Sequence, residues 1–239
     1  MRTAATTLRL LAATAVASAC TPKPPSADLF PLETGHRWTY RQVVEMEDNT
    51  RDVGSLVLHA LGPEDFEGKP AFHRRSDDGV HYWLRRDAGG VYRVAMRHEL
   101  DAEPARDPAP RFVLKEPLAV GTEWQSSTVA YLLKRRQGFP PEIRHEGKPV
   151  MMRYEIEALN ETVSVPAGRY EGCLRLRGHA TMRLYADPVV GWRDMPLTTT
   201  EWYCRGPGLV KLERDEPATR MAYLTGGKLT LELSRWDAP

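Results

Sequence analysis

The sequence predicts an all-β chain folded as a single domain, and three observations predict it. The stretch from Met151 to Lys211 alternates apolar and polar residues with the period of half-buried strands. Short turn signatures punctuate it, Pro166-Ala167-Gly168 and Gly206-Pro207-Gly208 among them. Beyond the first twenty residues no amphipathic pattern runs for more than about three helical turns. A length of 239 residues is enough for one sizeable core.

Taken in order, the globular part is expected to start at Phe30, with Pro31-Leu32-x-x-Gly35-x-x-Trp38. The same pattern returns as Pro117-Leu118-x-x-Gly121-x-x-Trp124, offset by 86 residues. It reads as a turn that launches a strand. The prolines fix the approach and the leucines are buried. The glycines take a conformation costly for other residues, and the tryptophans anchor the strand. Duplication and convergent turn chemistry both explain the repeat. Between the copies, Val53–Ala60 alternates as a strand and Pro63–Pro70 reads as a loop. Ala71–Ser76 and Val80–Arg86 flank Asp77-Asp78-Gly79, a hairpin signal, and Asp87–Gly90 turns into Val91–Met96. Asp101–Pro110, with three prolines, is expected as a surface loop. Ser127–Leu133 is expected as a strand, Lys134–Pro149 as a long basic loop, and Lys228–Ser234 as the last strand.

The amino terminus addresses location. Arg2 and Arg9 precede a short apolar run, Leu10–Ala17, which is followed by Ser18-Ala19-Cys20, the order of a secretory signal. Val16-Ala17-Ser18-Ala19-Cys20 resembles the lipobox of bacterial lipoproteins, departing from it at Ala17, where leucine is usual. The resemblance implies a signal over residues 1–19 and lipidation of Cys20. Residues 20–29 are then a proline-rich tether and 30–239 a β-rich periplasmic domain. Thr21, where an aspartate would mark inner-membrane retention, implies the outer membrane, facing the periplasm. Three acyl chains exceed the marginal anchoring of one. An ordinary signal cleaved near Ala19 is the alternative.

Without Arg2 and Arg9 the chain carries 31 basic against 32 acidic residues, so nucleic acid is an unexpected partner. No apolar run reaches the roughly 18–20 residues of a spanning helix. With Cys20 lipidated, Cys173 and Cys204 remain as an even pair in an oxidising compartment, which predicts a disulfide; two buried thiols are the alternative.

Chemistry is harder to find. Neither His98-Glu99 nor His145-Glu146 has the second histidine of a zinc protease, and His36, His59 and His179 are isolated, as surface or strand residues. His73 and His81 share a face only if their loop is Asp77-Asp78-Gly79 rather than Asp78-Gly79. Ser76 beside His81 could be nucleophile and base, but no nucleophile elbow occurs. No catalytic residue, metal site or cofactor is therefore assigned. Lys134, Arg135 and Arg136, with Arg144, His145 and Lys148, form a basic run suited to headgroups or anionic glycan, or simply to solvent. Trp38, Trp83, Trp124 and Trp202 are candidate ligand-facing residues, and Tyr82, Trp83, Tyr92 and Trp192 could line a groove; core is the default for all of them.

Phe30-Pro-Leu-x-x-Gly-x-x-Trp-x-Tyr40, Val165-Pro-Ala-Gly-x-Tyr-x-x-Cys173 and Glu201-Trp-Tyr-x-x-Gly-Pro-Gly-Leu-Val-Lys211 together resemble a broad group of bacterial envelope lipoproteins and periplasmic domains without assigned function. The resemblance spans most of residues 30–215 and implies a single curved antiparallel sheet. A more distant analogy, to lipoprotein carriers, implies a half-barrel around an apolar groove. The expectation is a lipid-anchored, non-enzymatic envelope protein that holds an apolar or glycan ligand on a sheet face. The alternatives are a scaffold that binds another envelope protein, and a hydrolase.

Overall fold

Residues that alternate along a strand send successive side chains to opposite faces, and a long alternating chain can bury one face by curling its sheet on itself. The computed structural model describes residues 28–135, 145–218 and 224–239, among which there is no helix. The signal, Cys20, the tether up to residue 27, and Arg136 and Arg144 of the basic run lie outside the described residues. The first strands are β1 (Arg37–Met46), β2 (Arg51–Phe66), β3 (Lys69–Ser76), β4 (His81–Asp87), β5 (Gly90–Arg97) and β6 (Ala105–Lys115). After them come β7 (Glu123–Thr128), β8 (Lys134–Arg135), β9 (Val150–Val165) and β10 (Gly168–Asp187). The chain ends with β11 (Gly191–Cys204), β12 (Gly208–Glu216), β13 (Leu224–Thr225) and β14 (Gly227–Asp237).

Twelve of these form one antiparallel sheet in the order β6-β5-β4-β3-β2-β1-β14-β12-β11-β10-β9-β7, nearly closed into a barrel. β8 and β13 pair separately. Two six-stranded meanders, β1–β6 and β7–β14, thus meet where β1 pairs with β14. Their outer edges, β6 and β7, face each other across a seam bridged by side chains. Arg111 Nε donates to the Ser127 carbonyl (2.8 Å), and Trp124 Nε1 and Ser126 Oγ donate to that of Phe112 (3.2 Å each).

The all-β expectation holds, and the sheet closes further than a half-barrel. Several boundaries move. β2 runs through Pro63–Phe66, so the expected loop shrinks to a turn at Glu67-Gly68; Gly62 absorbs a register shift there at φ 102°. Pro108 and Pro110 lie in β6 rather than in a loop, because an edge strand tolerates residues without an N–H. The strand expected over Ser127–Leu133 ends at Thr128, and the chain then turns inward. His36 is buried, not at the surface, between the rings of Trp38 (5.4 Å) and Trp236 (5.8 Å).

The expected disulfide joins Cys173 and Cys204. The neighbouring pair Leu174↔Tyr203 shows that the two cysteines lie opposite each other on β10 and β11. Closing a loop of 31 residues stabilises the fold by roughly 3–4 kcal/mol on the loop-entropy estimate.

Candidate functional site

Both ends of the barrel are stopped by chain that follows no sheet. At one end the strap from Asp28 to Leu32 crosses the opening. Asp28 pairs with Arg86 (2.7 Å), Gly206 N donates to its carbonyl (3.0 Å), and Phe30 and Leu32 are buried. Arg74 points inward between the rings of Phe30 (4.1 Å) and Trp38 (4.5 Å) and donates to the Pro31 carbonyl. Burial pulls its guanidinium down to about 10, opposed by the nearby Tyr40, Tyr203 and Asp28. Trp38 Nε1 donates to the Pro207 carbonyl (2.7 Å), tying β1 to the β11–β12 turn.

At the other end the segment after β7 folds in, with Leu132 and Leu133 buried. One carboxylate holds it: Glu216 Oε2 accepts the backbone N–H groups of Tyr131 (3.1 Å), Leu132 (2.8 Å) and Leu133 (3.2 Å). Its other oxygen pairs with Arg214 Nε (2.8 Å), and both side chains are almost fully buried. Arg214 also reaches the Val129 carbonyl (3.3 Å) and lies under the Tyr131 ring (4.9 Å). A buried ion pair of this kind survives only with its remaining valences satisfied, as Glu216's are.

Between the two stoppers lies a cavity of about 300 Å³ against the seam. β11 presents Thr199, Glu201 and Tyr203 to it at period two, β12 adds Arg214, and β4 and β9 add Tyr82 and Tyr154. Arg111 and Phe112 of β6 and Thr128 of β7 form the seam side, with Tyr131 beyond them. The Tyr154 ring stacks on Trp124 (5.7 Å) on one side and opposes Gly178 on the other. A Cβ on Gly178 would meet Thr199, Met152 and Tyr154 at 2.6, 2.8 and 2.9 Å, so only bare backbone fits. The ring is thereby held flat.

The cavity is polar. Tyr203 Oη donates to Glu201 Oε2 (2.6 Å). Burial pushes the Glu201 carboxyl above the ordinary carboxylate range, opposed by that hydrogen bond, by Arg111 and Arg214, and by Thr199. Burial likewise raises the phenols of Tyr131, Tyr154 and Tyr203, which stay neutral donors at ordinary pH. Apart from the Arg111 Nε bond across the seam, the terminal nitrogens of Arg111 and the hydroxyls of Tyr131 and Tyr154 have no hydrogen bond within the described residues. A second cavity of about 340 Å³ lies beside the strap, but Arg86 there is already committed to Asp28.

None of the four tryptophans expected at a ligand lines either cavity. Trp38 and Trp124 are interior but solidly packed. Trp83 and Trp202 face outward: Trp83 stacks under Phe66 and His73, and Trp202 donates to Glu161 (2.9 Å) beneath Lys211. The expected groove does not form, because Tyr82 and Trp83 are neighbours on β4 and point to opposite faces. Tyr92 bonds to Asp87 (3.0 Å) and Trp192 packs edge-on against Tyr185, both away from the cavity.

The loop between β3 and β4 has three residues, with Ser76 N donating to the Val80 carbonyl (2.9 Å), so His73 and His81 share the outer face. Ser76 faces the other way, which rules out a Ser76–His81 pair. The histidines form a chain instead. Arg97 approaches His81 Nε2 (3.3 Å), His81 Nδ1 meets His73 Nε2 (2.8 Å), and His73 Nδ1 meets Glu64 (3.1 Å), which Trp83 Nε1 also bonds. These groups lie in a line rather than around a point, and among the described residues no three His, Cys, Asp or Glu side chains surround a metal position. Of the basic run, Arg135 donates to the carbonyls of Tyr185 and Ala186, and His145 Nε2 meets the Leu133 carbonyl (2.9 Å).

Fold and site define an up-and-down β-barrel, nearly closed, around a polar chamber stopped at both ends. No family model matches the sequence, and no curated protein matches it. Two solved structures are similar in outline. A candidate lipoprotein of Parabacteroides distasonis is 12% identical over 90% of this chain and 100% of its own, with a TM-score of 0.42. A candidate exported protein of Bacteroides fragilis with a YMCC-like fold is 14% identical over 87% and 98%, with a TM-score of 0.38. Likeness at this level transfers no activity to the present chain.

Proposed function

We propose that this is a lipid-anchored protein of the bacterial envelope that binds a small, hydroxyl-rich ligand of the glycan class inside its barrel, without catalysis. The signal-like amino terminus and Cys20 support the anchor and an outer-membrane location facing the periplasm. The observation that carries the binding reading is the convergence of Arg111, Glu201, Tyr131 and Tyr154 on one chamber, with hydrogen-bonding capacity the protein does not use. Such a set of oriented polar groups in a cavity of this size is how small-molecule sites fix polar ligands. An apolar ligand would strand those groups without partners, at about 1–3 kcal/mol each. Hydrolysis of a glycosidic bond ordinarily takes two carboxyl groups. Here Glu201 faces the chamber, while Glu216 is consumed by Arg214 and three backbone donors.

Native mass spectrometry of the full chain against a panel of mono- and disaccharides tests the reading. Bound sugar is expected with the wild type, with loss of at least tenfold in affinity in a Glu201→Ala/Tyr154→Phe double variant. Retention of an unchanged complex by that variant would place the site elsewhere. A wild type that binds no sugar would dispose of the glycan class.

A further inference from the structure

We infer, resting on the chamber's being a sugar site, that its ligand is acidic: a saccharide residue bearing a carboxylate, which Arg111 takes in its open guanidinium fork. Two cations face the chamber, and they differ in what they are free to do. Arg214 is spent on Glu216, the Val129 carbonyl and the Met152 sulfur (3.4 Å). Among the described residues Arg111 is held through Nε alone, which bonds to the Ser127 carbonyl and fixes the plane of the group across the seam. Among the described residues its two terminal nitrogens have no partner and no carboxylate lies within ion-pair distance of it. A planar fork oriented at one edge and open at the other is the geometry that receives a carboxylate bidentately.

The surroundings point the same way. Glu201 is the carboxyl that lines the chamber, and its closest donor is the Tyr203 hydroxyl rather than either arginine. Burial disfavours its charged form, which lessens the negative charge set against Arg111. The groups that face Glu201 are Thr199 and Tyr203 of β11, Arg111 of β6, Arg214 of β12, Tyr154 of β9, and Tyr131. An anion bound at Arg111 adds negative charge near Glu201 and strengthens its hold on the proton. Binding therefore takes up protons where Glu201 is partly ionised, and affinity falls as pH rises through that range. The tyrosine hydroxyls remain for the sugar's own hydroxyls. At about 300 Å³ the chamber is at the small end of ligand sites, the scale of one sugar residue.

The test is isothermal calorimetry on the full chain in detergent, with glucuronate, glucuronamide and glucose as probes. Glucuronate is expected to bind at least tenfold more tightly than glucuronamide. Its heat should vary with the ionisation enthalpy of the buffer in the sense of proton uptake. Arg111→Gln should erase the preference for glucuronate over glucuronamide, and Arg111→Lys should restore only part of it. Glu201→Gln should abolish the proton uptake. Equal binding of glucuronate and glucuronamide would overturn the acidic assignment and leave the sugar site standing. No binding of any of the three would overturn both. If Arg111→Gln proves unstable on melting, the comparison of glucuronate with glucuronamide on the wild type decides alone.

Discussion

The two meanders begin alike and end differently. In the first, Gly35 at φ 95° donates its N–H to the Ala60 carbonyl (3.0 Å), and Ala60 N returns a bond to His36 (2.9 Å). In the second, Gly121 at φ 85° donates to Ile156 (2.9 Å), and Ile156 N returns one to Thr122 (3.0 Å). Trp38 then stands opposite Leu58, and Trp124 opposite Tyr154, two residues before the bonded partner in each case. The launch motif builds the same pair of bonds twice. What differs is the other side of the strand. β1 has β14 there, in a ladder over ten residues, whereas β7 has the seam to β6, made of side chains reaching carbonyls. The chamber lies against the second arrangement. A continuous ladder fixes the barrel, and a side-chain seam leaves groups that can face a ligand.

The largest expected effect falls on the second meander's stopper. Glu216→Ala should cost about 3–5 kcal/mol, because it leaves Arg214 buried without its partner and frees three backbone donors; chemical denaturation would measure it. Opening the Cys173–Cys204 bridge by a double serine variant should cost roughly 3–4 kcal/mol in the same assay. Next comes the contrast between the two tryptophans. Trp38→Phe orphans the Pro207 carbonyl and unseats Arg74, and should lower global stability by about 1–3 kcal/mol. Trp124→Phe should cost about 1 kcal/mol or less globally, yet speed amide exchange in β6 and β7 ahead of β1 and β14. Equal loss of protection at both places would remove the distinction.

The smallest effect is a pH dependence in the first meander. Burial lowers the His81 imidazole below its usual value, joined by Arg97, His73 and Arg75 and opposed by Glu64. The folded chain thus binds fewer protons than the unfolded one just below the unfolded value of 6.5. Stability should fall as pH drops through 6.5 and level off below the folded value. His81→Gln should flatten that limb of a melting-temperature profile.

Much of the fold was legible because it rests on local chemistry. Alternation, paired turn residues and two glycine-tryptophan launches fix strands without knowledge of their partners, and the even cysteine pair fixes one contact between strands. The prolines of β6 misled because their cost depends on being at an edge, which is a property of topology. The site was legible only in hindsight. Thr199, Glu201 and Tyr203 stand at every second position of β11, as Arg214 and Glu216 do on β12, which is the mark of a polar inner face. Period two shows that they share a face; it does not show that the face is the inner one. The tryptophans drew notice as large aromatic groups, but their bulk and indole N–H suited them to packing, and the chamber is built from arginine, glutamate and tyrosine brought together across five strands.

Amide hydrogen exchange of the full chain with and without saturating glucuronate tests the interior site most directly. Slowed exchange at Arg111–Val113, at Ser126–Thr128 and along Thr199–Tyr203 is the predicted footprint, since a ligand in the chamber braces both sides of the seam. Protection confined to the strap at Asp28–Leu32 or to the outer face around Lys211, with the seam unchanged, would contradict it.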